Sequence, residues 1–201
     1  MLQTKFTDKN IKGIWIMKKA NVVCISGSLR SHSNSQAILN SVIELLPANT
    51  SAWQLPIGDY PLYNVDEEQA LVPHSVQNDR DRISASDAVI IVTAEYNHGI
   101  PGALKNALDW YSRPVHQSCM KDKPVFFITQ SSGALGGVRA QHHLRENLAS
   151  MLCILPPLAE IAVTHVETKI SNSRLVDSAS LSFISHQLNE FLLITQQVMH
   201  V

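Results

Sequence analysis

Much that would mark a specialised chemistry is missing from this chain of 201 residues. It holds three cysteines, Cys24, Cys119 and Cys153, odd in number and widely spaced, with no CxxC pair and no zinc-ligand spacing. Cys24 and Cys153 lie in apolar runs, so they are expected to be buried free thiols in a reducing compartment, and the location to be cytoplasmic. The nine histidines are scattered without an HExxH, and no metal site is expected. No segment reaches the roughly 20 apolar residues of a membrane span. Net charge is −1, with no basic run and no aromatic-basic interleaving, so no nucleic-acid partner is expected. Residues 1–16 do not read as a signal peptide, because Lys5, Asp8, Lys9 and Lys12 break any hydrophobic core. Met17 precedes Lys18-Lys19-Ala20 and the first strand, which makes it a candidate natural start. N-terminal mass spectrometry that finds Met1 on the native protein would refute this.

What remains is a globular composition, 45% apolar and 16% charged, with no repeat, low-complexity tract or linker. Residues 1–18 read as an N-terminal extension and 19–201 as one domain, long enough for a sizeable core. Asn21 to Ser26 is a short β-branched run and predicts a buried strand. It runs into Gly27-Ser28-Leu29-Arg30-Ser31-His32-Ser33-Asn34-Ser35, and then Gln36 to Leu46 carries a helical stripe ended by Pro47. Thr50 to Leu55 predicts a second strand, followed by an extended loop whose Tyr60 and Tyr63 either line a pocket or cover the sheet. Val72 to Ala85 predicts a helix with a solvated charged face at Asp79, Arg80, Asp81 and Arg82.

Ala88 to Thr93 predicts the third strand, delivering Glu95-Tyr96-Asn97-His98-Gly99 and then a helix over Ala103 to Trp110, with Pro101 in its first turn. Lys123 to Thr129 predicts the fourth, opening onto Gln130-Ser131-Ser132-Gly133 and a helix from Val138 to Met151 with Leu144, Leu148 and Met151 inward. Leu152–Leu155 and Ile161–Val163 share a fifth strand region around Pro156-Pro157; Asn172 to Asp177 reads as a loop, and Ser180 to Val198 as a closing helix.

Strand and helix alternate throughout, which predicts an α/β fold: a doubly wound five-stranded parallel sheet, ordered 2-1-3-4-5, in three αβα layers. In that order the loops after strands one and three share the crevice at the switch point. The first loop is neither a Walker A sequence nor GxGxxG, but its hydroxyls, amide and Arg30 suit a phosphomonoester at a helix N-terminus. It also reads as a helix cap with spare serines. The other two loops suit a flat ring, and phosphate plus flat ring in this fold points to FMN.

Three motifs in order carry a resemblance. Gly27-Ser28-Leu29-Arg30 with Ser33, Glu95-Tyr96-Asn97 with Pro101 to Trp110, and Ser131-Ser132-Gly133 with Gly136 to Gln141 resemble the NADPH-dependent FMN reductase family over about residues 19–165. This is the flavodoxin-like group that includes chromate, quinone and azo-dye reductases. The resemblance implies that Ser28, Arg30, Ser33, Asn34 and Ser35 hold the FMN phosphate. It implies that Glu95, Tyr96, Asn97 and His98 edge the ring and ribityl chain, largely through backbone, with Ser131 and Gly133 on the other side. Lys105, Asn106 and Asp109 are expected to anchor their helix and a subunit contact. The family commonly has Pro where Ala94 stands, often Ser at His98, and Asn at Ser35, a change for which Asn34 can compensate. His98 reads either as a proton donor to a reduced substrate or as a loop histidine against FMN or solvent.

The implied activity is a ping-pong transfer of hydride from NADPH or NADH through FMN to a quinone, azo compound, metal oxyanion or free flavin. The cofactor carries that chemistry, and no catalytic triad or acid-base pair is visible in the sequence. A homodimer or homotetramer is implied, with Trp110 and Tyr111 serving either an interface or the core. Two other classes stand beside this reading. A flavodoxin-type electron carrier would not react with pyridine nucleotide, and it would use an acidic surface that a chain at −1 lacks. A non-redox module binding a phosphate ligand could use the same scaffold.

Overall fold

A computed structural model describes residues 19–198, so the extension over 1–18 and the candidate start at Met17 lie outside the described residues. In chain order come β1 (Ala20–Ser26), α1 (Asn34–Leu45), β2 (Thr50–Gln54), α2 (Val65–Ala70), α3 (His74–Ala85), β3 (Ala88–Ala94), α4 (Gly102–Tyr111), β4 (Val125–Gln130) and α5 (Val138–Ser150). Then follow β5 (Ala162–Val163), the strands β6 (Ile170–Ser171) and β7 (Arg174–Leu175) of a hairpin, and α6 (Ser178–Val198). β1 to β5 form one parallel sheet in the order β2-β1-β3-β4-β5. That is the predicted doubly wound order.

The continuous apolar runs of β1, β3 and β4 are needed because both faces of the sheet are covered. Alternate residues divide between two cores, as the two-residue period of a strand requires. Val23, Ile25, Val89, Ile91, Val125 and Phe127 meet Val76 and Ile83 of α3, Leu104 and Leu108 of α4, and Leu144 and Leu148 of α5. Val22, Cys24, Ile90, Val92, Phe126 and Ile128 meet Ile38, Leu39 and Val42 of α1 and Ile184, Leu188 and Phe191 of α6. Each fully buried aliphatic contributes about 2 kcal/mol of transfer free energy.

Of the charged stretch of α3, Asp81 and Arg82 are exposed as expected, but Asp79 and Arg80 are not. Asp79 is 3% and Arg80 8% exposed. The Arg80 guanidinium donates to the carbonyl of Trp110 near the carboxyl end of α4 (Nη2 to O 2.6 Å) and pairs with Glu68 of α2 at 3.0 Å. A cation fits that helix end on electrostatic grounds. The Asp79 carboxylate accepts from the Tyr60 hydroxyl, which lies 2.7 Å from the Tyr111 hydroxyl. Trp110 and Tyr111 are wholly buried in this chain's own core, so the interface reading of these two aromatics does not hold. Asn106 acts as the expected anchor, accepting from Tyr63 N at 2.7 Å and donating to the Pro61 carbonyl, while Lys105 and Asp109 pair along α4.

Local differences have simple causes. Pro101 is the N-cap of α4 and not a residue of its first turn. The fifth strand region shrinks to Ala162–Val163 plus one bridge, Pro124 to Ile154, because Pro156-Pro157 interrupts the ladder. The expected loop at 172–177 contains β7, and Asn172 and Ser173 turn the hairpin in left-handed backbone.

Candidate functional site

The crevice is built where β1, β3 and β4 end. Gly27 leaves β1 with its N–H on the Val92 carbonyl of β3 (2.8 Å), and a Cβ there would collide with Thr93 and Leu104. Only glycine lets the first loop turn so close to β3. Ser33 then caps α1, its hydroxyl accepting from Gln36 N at 3.2 Å. Ser35 is fully buried and its hydroxyl accepts from Gln130 Nε2 at 3.0 Å, stitching the start of α1 to the end of β4. Its side chain therefore faces the protein and is unavailable to a ligand. The side chains left at the crevice from this loop are Ser28, Arg30 and Asn34.

The second loop contributes Glu95 and Tyr96. Glu95 Oε2 accepts from the backbone N–H groups of Arg139 (2.9 Å) and Ala140 (3.1 Å), and Oε1 lies 3.8 Å from the Arg139 guanidinium. Those are first-turn amides of α5, whose own N-cap is Gly137, a residue with no side chain to offer. A carboxylate on one loop thus caps the helix that follows another. Beyond it, Tyr96 and Gly99 exchange both backbone hydrogen bonds, 2.9 and 3.0 Å, around Asn97 and His98 at φ 49° and 65°. This is the two-residue turn with both central residues left-handed, a conformation Asn tolerates well. Ile100 N donates to His143 Nδ1 of α5 beneath it, at 3.3 Å. Asn97 and His98 project from the tip into solvent and do not line the crevice.

From the third loop Ser131 lines the crevice, together with Ser132 and Gln130. Gly133 stands back from it and works through backbone, its carbonyl accepting from His165 N at 3.1 Å while the Ser131 carbonyl accepts from Val166 N. That pairing brings Glu167, in a single 3-10 turn at Val166–Lys169, to the crevice wall. Gln130 and Glu167 were not anticipated from sequence. Gln130 was legible as the polar residue ending an apolar strand, whereas nothing local in 165–169 signals Glu167.

Burial pushes the thiols of Cys24, Cys119 and Cys153 up to about 12, which leaves them protonated at neutral pH and poor nucleophiles. Among the described residues no group of three or more His, Cys, Asp or Glu is placed to hold a metal ion, and no helix is long and apolar enough to cross a membrane. The crevice therefore offers hydroxyls, amides, one guanidinium and an open helix start on the first loop's side. On the other side it offers one aromatic ring and two carboxylates, of which Glu95 is already bound to backbone.

Comparison with known proteins agrees with this reading of the fold. The chain matches the NADPH-dependent FMN reductase family over residues 20–168. A quinone reductase of Pseudomonas putida is 41% identical over 141 residues, 69% of this chain and 76% of the relative. A quinone reductase of Escherichia coli K12 is 35% identical over 178 residues, 87% of this chain and 94% of the relative. Among solved structures, the flavoenzyme NAD(P)H:(acceptor) oxidoreductase FerB of Paracoccus denitrificans superposes with a TM-score of 0.80 at 32% identity, covering 89% of this chain and 98% of its own. The chain belongs to the NADPH-dependent FMN reductase family, oxidoreductases that use FMN with an NAD(P)H donor.

Proposed function

We propose that the three-loop crevice seats FMN and that the chain passes electrons by a ping-pong sequence from NAD(P)H to a small oxidant, a quinone first. Azo compounds, metal oxyanions and free flavin are further members of the acceptor class. The observation that carries the proposal is the meeting of Ser28, Arg30, Asn34, Glu95, Tyr96 and Ser131, from the ends of three adjacent strands, around one crevice. The residues fit the group. Ser28, Arg30 and Asn34, with the N–H groups of Asn34 and Ser35 at the open start of α1, form a donor set for a phosphomonoester. Ser33 serves there by capping and aiming the helix, and Ser35 contributes through its N–H while its side chain braces β4.

Tyr96 flanks the ring at the foot of a turn whose tip, Asn97 and His98, points to solvent; Ser131 closes the opposite side, with Gly133 holding that loop's backbone. When bound, FMN supplies the hydride-accepting and electron-donating chemistry. The chain's own task is orientation, and Glu95 performs it by fixing the distance between the second loop and α5. His98, at the exposed tip of the turn, takes the role of a surface group beside the open face through which donor and acceptor alternate. The subunits pair as a homodimer or homotetramer through surfaces other than Trp110 and Tyr111, which are consumed by the core.

Anaerobic addition of NADPH to the FMN-loaded protein tests this. Flavin absorbance that bleaches and returns when quinone is added supports the proposal. Absorbance that stays oxidised overturns it in favour of an electron carrier, and failure to take up FMN overturns the assignment of the crevice.

A further inference from the structure

We propose that His143 of α5 is a positioning residue for the reaction. Its imidazole, as a bare Nδ1 acceptor, holds the far end of the second loop and so sets where Tyr96 stands at the crevice. This rests on the reading of Tyr96 as a flank of the ring. The loop is held to α5 at two points. At its start the Glu95 carboxylate accepts from the N–H groups of Arg139 and Ala140, at 2.9 and 3.1 Å. At its end the Ile100 N–H donates to His143 Nδ1 at 3.3 Å. Residue 143 lies one helical turn beyond 139 and 140, so both points fall on one face of α5. The turn from Tyr96 to Gly99 is the span between them.

The two points are chemically opposite. At the first the loop accepts and the helix donates. At the second the loop donates, and the helix has to supply an acceptor. In mid-helix the backbone carbonyls already accept from amides one turn on, so a side chain serves instead. His143 lies against the loop because residue 99 is glycine: a Cβ there would stand 2.7 Å from the same ring nitrogen. Ile100 is buried, so removing the imidazole leaves a backbone donor with no partner in a place where that is costly. An imidazole that accepts at Nδ1 carries its proton on Nε2 and is neutral. The bond therefore fixes both the position of the loop and the tautomer of the ring.

Nitrogen NMR of apoprotein labelled at histidine gives the first readout, the protonation pattern of the His143 ring at neutral pH. Nδ1 bare and Nε2 protonated is expected; a proton on Nδ1 overturns the proposal without any substitution. FMN-loaded wild type, His143→Leu and His143→Asn are then compared by stopped flow with anaerobic NADPH. Leucine removes the acceptor, whereas asparagine keeps one in its Oδ1. In His143→Leu the maximal rate of flavin bleaching is expected to fall about tenfold. The half-saturating NADPH concentration and the FMN dissociation constant should each stay within about threefold, and His143→Asn should bleach within about threefold of the wild-type rate. A leucine variant as fast as wild type overturns the proposal. So does an asparagine variant as slow as leucine, because His143 would then act by packing, and so does a fall in FMN affinity as large as the fall in rate. Should His143→Leu fail to fold, the ring protonation and the rate of His143→Asn decide. Wild-type protein that takes up no FMN, or whose flavin NADPH does not bleach, fails the reading of the crevice before any variant is made and removes the positioning role with it.

Discussion

Two regions of this molecule are rich in polar side chains, and they treat them in opposite ways. Under α3 and α4, the groups of Tyr60, Asp79, Tyr111, Arg80 and Glu68 close upon one another and upon the Trp110 carbonyl, almost out of contact with water. At the strand ends, Ser28, Arg30 and Asn34 stand open around a helix start whose amides have no partner within the helix. A satisfied buried network contributes to stability and uniqueness of the core. An open set of donors contributes nothing to the empty fold and is ready for a ligand. The same residue types thus mark a structural knot in one place and the proposed binding site in the other. Partnership, and not polarity, tells them apart.

That distinction predicts separable effects. Asp79→Ala leaves the Tyr60 hydroxyl and the neighbouring Arg82 without their acceptor, and a loss of about 3 kcal/mol in urea unfolding is expected, with FMN affinity little changed. A large loss of FMN affinity in the folded variant would break the comparison. Arg30→Ala should do the reverse, weakening FMN by about tenfold to a hundredfold with an unchanged unfolding midpoint of the apoprotein. An unchanged dissociation constant would remove the first loop from the site. Glu95→Ala belongs to both regions at once: lost capping of α5 should cost about 1 kcal/mol of stability, and FMN affinity should fall with it.

The smallest effect is alkaline. Burial first, then the hydrogen bond to Asp79, pushes the Tyr60 hydroxyl well above its ordinary 10.0. Because the folded value is raised, the stabilisation is complete below pH 10 and is lost progressively as pH rises above it, where only the unfolded chain releases the proton. At pH about 10.5 the loss is about 1 kcal/mol, and Tyr60→Phe should flatten that part of the stability profile. FMN affinity should not follow the same curve, since Tyr60 is buried beneath α3 and α4 and does not line the crevice.

The parts of this architecture written in local pattern were legible. Val22 to Ile25, Ala88 to Val92 and Val125 to Ile128 are buried on both faces, so each reads as an unbroken apolar run. The loops that follow them carry, in their residue types and position, the features on which the proposed site rests. What stayed hidden depends on partners far away along the chain. Asp79 and Arg80 look like a solvated face because the groups that satisfy them, Tyr60, Tyr111 and the Trp110 carbonyl, lie 19 to 32 residues off in either direction. Ser35 looked like a ligand donor because nothing nearby reveals Gln130 as its partner, 95 residues on. Glu167 arrives at the crevice only through backbone pairing of 165–166 with 131–133. β5 lies within the expected Ile161–Val163 run, but its extent was not legible because two residues carry no periodicity.

The carboxylate of Glu95 has a consequence for anyone who would alter acceptor choice by exchanging loops. It begins the segment that carries Tyr96 and the Asn97-His98 turn, yet its bonds are made to Arg139 and Ala140, at the head of the helix behind the other segment. The two jaws of the cleft are therefore one mechanical part. A graft of residues 96–99 that leaves Glu95 in place inherits the spacing of the native jaws. A graft that replaces it strips two amides of α5 and must bring its own clasp.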